Sequence, residues 1–410
     1  MGVSVRSLRG LDWLCFFLAN VRDGLGPYLA MYLLVAKQWS PSDIGLAMAV
    51  PGFVRILSQT PAGAFIDNTN FKRGLIVISS LIVAAGCFID VLVPVFGIII
   101  SSQLIIGIAT SVYTPTIAAI TLGMVGYDNL ARRIGRNESF NHIGNVCNAI
   151  AAGLIGHFVS YEAIFYVISV MCVASSISVL FIKGKDIDHK RARAVLESKT
   201  YDATPTPIRE VISDKSIILF AVAVFLFSFS NGSMISLAGQ KLCVFDRSNA
   251  CLSMSACIIV AQLVMVFFAR FAGKFADKGK RKVIFLISFI AVPLRGLLFT
   301  LSDDTIYVIA IQVLDGIGGG IFGVVTIIMI ADLTEGTGRF NFVQGMMTAI
   351  IGIGASLSSF VTGFIVNNYN YNNGFLFLAF MGVISFIVVF LFVPETRKSL
   401  YPAHQNSEKL

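Results

Sequence analysis

Long unbroken apolar runs constrain this chain more than any other feature. Leu75–Phe88, Ile217–Phe229 and Phe375–Val393 contain no charged residue, and none alternates with the period of two that a membrane barrel strand requires. They read as helices. A membrane span needs about 20 mostly apolar residues, so a chain of this length has room for about a dozen with short loops. Of the 410 residues, 56% are hydrophobic and 13% charged, with a mean hydropathy of +0.81. Soluble domains have roughly 45–50% apolar and 25% charged residues. Lipid is therefore the solvent, which excludes intrinsic disorder, a disulfide scaffold and most soluble enzyme classes.

The expected spans are 11–36, 42–65, 74–96, 98–125, 140–160, 162–183, 216–240, 250–272, 283–301, 305–330, 342–367 and 374–394. The longest polar interruption, 184–215, separates six spans from six. This divides the chain into an N-terminal bundle (1–183), a linker (184–215), a C-terminal bundle (216–394) and a tail (395–410). Lys and Arg gather on the face that carries the linker, from Arg6 and Arg9 to Arg397 and Lys398, while the other face has little beyond Lys37, Lys241 and Arg247. By the positive-inside rule both termini and the linker are cytoplasmic. This asymmetry also accounts for the net charge of +8, so no nucleic-acid partner is inferred. Arg6 and Arg9 precede an apolar stretch too long for a cleavable signal and lacking a small-residue cleavage site, so the first helix is expected to stay. The seven cysteines form no CxxC pair and read as small core residues, although Cys243 and Cys251 flank one outer loop and could pair.

The halves repeat. Gly63-Ala-Phe-Ile-Asp67 returns as Gly273-Lys-Phe-Ala-Asp277 at an offset of 210, and Gln103-Leu-Ile-Ile-Gly107 returns as Gln312-Val-Leu-Asp-Gly316 at 209. Two matches at nearly one offset, each in the corresponding span, indicate a tandem duplication.

On these grounds the chain resembles the major facilitator superfamily of secondary transporters, a fold of two repeated six-helix halves. The family's Gly-x-x-x-Asp-Arg-x-Gly-Arg-Arg loop appears as Gly63, Asp67, Lys72 and Arg73, with Asn68, Asn70 and Phe71 departing from it. The second copy holds Gly273, Asp277, Lys278, Lys280 and Arg281 and is one residue short. The resemblance runs from the first span to Pro394-Glu395-Thr396-Arg397. It implies an all-α membrane protein with twelve transmembrane helices in two pseudo-symmetric bundles. Gly63, Asp67, Arg73, Gly273, Asp277 and Arg281 would then form gating contacts; an ordinary positive-inside loop is the plainer reading.

Charges inside spans are costly in lipid and are functional candidates by default. Arg22 and Asp23 lie in span 1, Arg55 in span 2 and Asp315 in span 10. Asp23 and Arg55 fall at similar depth and could form a salt bridge, whether fixed or broken during transport. Asp23 and Asp315, one isolated carboxylate per half, are the proton-coupling candidates, with His142 a further one. The resemblance places these helices around a central cavity, where Asn20, Arg22, Arg55, Tyr113, Asn145, Asn231 and Gln312 are the substrate-binding candidates. Asn141, Asn145 and Asn148 share a helical face and could serve either substrate or helix packing. Gln103 stands where many proton-coupled members carry arginine, and span 5 lacks the antiporters' Gly-Pro signature.

The sequence thus predicts a monomeric secondary active transporter of the plasma (inner) membrane, working by alternating access and driven by protons. Two arginines favour an anionic solute, because a guanidinium offers a charged bidentate donor set. The stretches at 20–27 and 136–142 resemble a bacterial branch associated with polycarboxylate siderophores. The alternatives are a proton-driven exporter of drugs or siderophore, and a non-transporting sensor. The four histidines are scattered, and no HExxH, GxSxG or P-loop occurs. Neither a catalytic role, a metal nor a cofactor is expected.

Overall fold

The computed structural model describes residues 3–23, 29, 32–33, 37–39, 41–194, 205–245, 250–276 and 281–396; the side chains of Asn20, Arg22, Asp23, Cys243 and Cys251 lie outside the description. The helices are α1 (Val5–Asp23), α2 (Pro41–Asn68), α3 (Lys72–Leu92), α4 (Phe96–Ser111), α5 (Tyr113–Phe158), α6 (Tyr161–Leu180), α7 (Ile208–Ser213), α8 (Lys215–Asn231), α9 (Met234–Phe245), α10 (Ala250–Ala276), α11 (Arg281–Leu298), α12 (Thr305–Leu333), α13 (Phe340–Asn368) and α14 (Tyr371–Phe392). Among the described residues, eight stretches are long and apolar enough to cross a membrane.

One of the eight is two crossings. Phe96–Ala152 spans 57 residues, about 85 Å as continuous helix against a hydrocarbon core of about 30 Å. The turn back comes at Gly126, whose φ of 67° and ψ of −178° lie where only glycine sits without strain. Helices α1, α2 and α11, which carry Asp12, Arg55 and Arg295, complete twelve passes. The apolar pattern starts span 5 at residue 140, but its helix starts just after Gly126. Arg133, Arg136 and Asn137 therefore belong to the helix, and His142 lies near its middle rather than its end.

The packing has the two-fold relation that the repeats imply. In the N-terminal half α2 packs on α4, α3 on α4 and α6, and α5 and α6 on α1. In the C-terminal half α10 packs on α12, α11 on α12 and α14, and α13 and α14 on α8. Two seams join the halves, α2 against α13 and α5 against α10. Each half has its own buried cluster, and the face of α5 from Ala118 to Ile134 joins that of the C-terminal half.

Glycines set the seams. A Cβ on Gly63 would collide with the Asn341 carbonyl oxygen, and one on Gly345 with that of Gln59. At the other seam a Cβ on Gly273 would meet the carbonyl of Ala131, and one on Gly135 that of Ala269. The second set of contacts repeats the first with every residue displaced by 210 positions. Backbones touch here as small residues permit within membranes.

Candidate functional site

Between the halves lies a cavity of about 800 Å³, lined by α2, α4, α5, α12 and α13. It brings Arg55 of α2 and Glu138 of α5 to one space, with Gln59, Thr326 and Gln344 on its walls. Gln59, Thr326 and Gln344 are buried, and among the described residues Oε1 of both glutamines and Oγ1 of the threonine have no protein partner. A buried polar atom left unpaired costs about 1–3 kcal/mol, so these groups are placed to meet whatever fills the cavity. Arg55 and Glu138 bring opposite formal charges to the cavity, and hydrogen-bonding capacity comes from both halves.

A second constellation lies inside the C-terminal half. Arg295 of α11 is 1% exposed, and its Nη1 donates to Asp315 Oδ1 at 2.5 Å and to Asn231 Oδ1 at 2.9 Å. Its Nη2 donates to Gln312 Oε1 at 3.0 Å. Asp315 is therefore not the isolated carboxylate expected from sequence: it is the counter-ion of Arg295. Asn231 and Gln312 are gathered around the same guanidinium, not among the residues that line the central cavity. Four groups from α8, α11 and α12 are thus linked through one guanidinium where lipid or apolar core would satisfy none of them, while Arg295 Nε and Gln312 Nε2 have no hydrogen-bond partner among the described residues.

At the seam near the linker, the buried Asp67 accepts from the Asn341 backbone N–H at 3.2 Å, its Nδ2 at 2.7 Å and the Phe342 N–H at 2.8 Å. Both backbone donors belong to the first turn of α13, where unpaired N–H groups and the helix dipole favour an anion. Lys72, rather than Arg73, stays with this loop, donating to the carbonyls of Ile66 and Thr69. Arg73 lies beside Gly184. The linker closes over the seam: Asp188 N donates to Gly123 O, while Asn341 Nδ2 donates to Ala192 O and Gly336 N to Ala194 O. Upstream, Ser4 and Ser7 hydroxyls donate to Asp186 and hold its carboxyl below the usual range.

The remaining candidates disperse. Tyr113 is buried in the N-terminal half, its hydroxyl 3.3 Å from Ser80 Oγ. His142 Nδ1 is 2.6 Å from Gln262 Oε1 across the α5–α10 seam. Asn145 is half-buried, and Gly273 lies in the seam already described. Arg281 pairs with Asp332, and the N-terminus of α11 is capped by Glu395 through the N–H groups of Arg281 and Lys282. Asp277, and the side chains of Asn20, Arg22 and Asp23, lie outside the described residues, so the Asp23–Arg55 pair does too.

Besides Arg295, three charged residues within the helices escape the sequence reading. Asp12 binds Arg133 at 2.8 Å and Arg136 at 2.7 Å, tying α1 to α5. Asp90 is fully buried and accepts from Gln103 Nε2 at 2.7 Å. Glu138 lines the cavity. The rule that singled out Asp315, an ionisable residue inside a span, applies equally to Asp12, Asp90 and Arg295.

Twelve crossings in two repeated halves with a cavity between them define the architecture of a multi-pass membrane protein. The chain belongs to the Major Facilitator Superfamily, whose family model matches residues 13–292 and 250–408. An uncharacterized MFS-type transporter of Mycobacterium tuberculosis is 41% identical over 401 residues, 97% of this chain and 95% of that protein. The multidrug transporter protein MdtP of Bacillus subtilis is 28% identical over 174 residues, 42% of this chain and 31% of its own length. The class B tetracycline resistance protein of Escherichia coli is 28% identical over 137 residues, a third of either chain. A crystal structure of the E. coli fucose:proton symporter FucP has the same fold, with a TM-score of 0.74 at 13% identity over 95% of this chain and 98% of that one.

Proposed function

We propose that this protein is a secondary active transporter that carries a small organic solute through the central cavity by alternating access. The observation that carries the reading is the cavity between the halves, with Arg55, Glu138 and three buried polar atoms that have no protein partner among the described residues. Such a lining suits a solute that brings an acidic group to Arg55 and donors to Glu138 and the glutamine oxygens. Polycarboxylates, siderophores among them, supply the acid. Protons are the proposed driving ion, with Asp23, His142 and Asp315 as candidate carriers, Asp315 acting through its hold on Arg295. Drug export is the second reading, favoured by the partial likeness to multidrug and tetracycline resistance proteins.

The test is flux in liposomes under an imposed pH gradient, with labelled organic anions, siderophores, sugars and drugs. An acidic solute should accumulate, collapse of the gradient should abolish accumulation, and Arg55→Gln should weaken its binding by roughly tenfold or more, the worth of a charge-assisted hydrogen bond. Transport confined to cationic drugs and untouched by Arg55→Gln overturns the anion assignment. Absence of flux for every solute favours a non-transporting sensor.

The proposed orientation puts both termini and residues 184–215 in the cytoplasm of a cell whose plasma membrane holds the protein as a monomer. In a cysteine-free background, a cysteine at the exposed Lys185 should resist an impermeant thiol reagent in intact cells and react after permeabilisation. Reaction in intact cells reverses the topology.

A further inference from the structure

The outer wall of the N-terminal half carries a groove of about 820 Å³ between α1 and α6 that the transport reading does not use. Trp13 and Phe17 of α1 and Ala174, Ile177 and Phe181 of α6 line it. Gly10 lets the helices approach at its base, since a Cβ there would lie 3.0 Å from the Ser178 carbonyl oxygen. The surrounding surface is apolar: Val170, Val173 and Ile177 are 64%, 45% and 51% exposed, and Trp13 is 50% exposed. In a twelve-pass protein such a surface faces hydrocarbon.

One end of the groove is different. Arg6 and Arg9 stand there, both exposed, and among the described residues neither forms an ion pair. Arg6 lies 5.0 Å from the centre of the Phe181 ring, the last aromatic of the groove. Arg9 also borders a neighbouring cavity of about 650 Å³ with Arg132, Arg133 and Arg136. Asp12 engages Arg133 and Arg136, which leaves the positive charge of Arg9 and Arg132 uncompensated by that acid. From Val5 to Phe17 the helix rises about 18 Å, close to one leaflet of a hydrocarbon core of about 30 Å. Charge at one end and an apolar channel one leaflet deep are the two halves of a phospholipid.

We propose that this groove is a binding site for an anionic phospholipid, its phosphate held by Arg6 and Arg9 and one acyl chain lying along Trp13, Phe17, Ala174 and Phe181. Two guanidinium groups at the headgroup level select negative charge, and the aromatic and aliphatic walls select a chain over water.

Native mass spectrometry of the full-length protein tests this with dioleoyl phosphatidylglycerol against dioleoyl phosphatidylcholine. The wild type should retain phosphatidylglycerol preferentially, by about fivefold for each arginine near the surface. Arg6→Gln/Arg9→Gln should bring the two lipids to parity. Arg6→Lys/Arg9→Lys should keep much of the preference, showing that the changes leave the fold intact. Ala174→Phe, which fills the channel, should lower retention of both lipids, and soluble glycerol 3-phosphate should displace neither. No preference in the wild type, or an unchanged preference in Arg6→Gln/Arg9→Gln, overturns the proposal. Displacement by glycerol 3-phosphate overturns the acyl-chain assignment and makes this a site for free phosphate esters.

Discussion

Replacing Arg295 by methionine is expected to destabilise the protein by about 3–5 kcal/mol, the cost of stranding a buried charge without its partner. Arg295 is 1% exposed and is the shared donor for Asp315, Asn231 and Gln312, so its loss leaves a carboxylate and two amides without that donor. The double variant Arg295→Met/Asp315→Leu should recover most of the loss, because removing both charges also removes their desolvation cost. Thermal unfolding of purified variants supplies the measurement, and the non-additivity of the double variant gives the coupling. A wild-type midpoint in Arg295→Met would show that the pair contributes little. If the double variant folds but no longer couples flux to the pH gradient, Asp315 acts in transport as well as in packing.

The second large effect is expected at Asp67. Asn in its place keeps one oxygen but turns the other acceptor into a donor, facing N–H groups at the start of α13. Losing about 2 kcal/mol from this cap shifts the balance between closed and parted seams by roughly thirtyfold. A cysteine at the half-buried Ala64, one turn from Asp67, should then react faster with a water-soluble maleimide, by up to that factor, and transport should slow. Equal labelling and equal flux in Asp67→Asn would remove Asp67 from the gating machinery.

Gross architecture is legible because membrane physics writes it into local sequence. Apolar length marks the spans, and the two Gly-x-x-x-Asp loops mark the repeat and point to the helix end where Asp67 meets α13. What sequence spacing does not encode is the partner across a helix interface. Asp315 looks solitary because Arg295 lies 20 residues away in the preceding span, and only the packing of α11 on α12 brings them together. Tyr113 looks suited to a cavity because it is polar and near a proline, yet the rotation of α5 turns it to Ser80. The start of span 5 is misplaced in the sequence for a related reason. Its first turns carry Arg132, Arg133 and Arg136 and read as loop, but Asp12 binds two of them, and the helix continues down to Gly126.

The glycine seams also match each other by symmetry. In the N-terminal half Gly63 meets position 341, the repeat of 131, while Gly273, the repeat of Gly63, meets position 131 itself. Gly345 on Gln59 and Gly135 on Ala269 are related in the same way. A patch in which residue i touches j, and j touches i, is the signature of an isologous interface between identical subunits. A six-helix unit bearing one copy of each glycine is thus complementary to itself. Such a unit could pair as a two-fold symmetric homodimer before any linker joined its copies, so the covalent tether between the halves adds proximity to an interface whose shape did not depend on it.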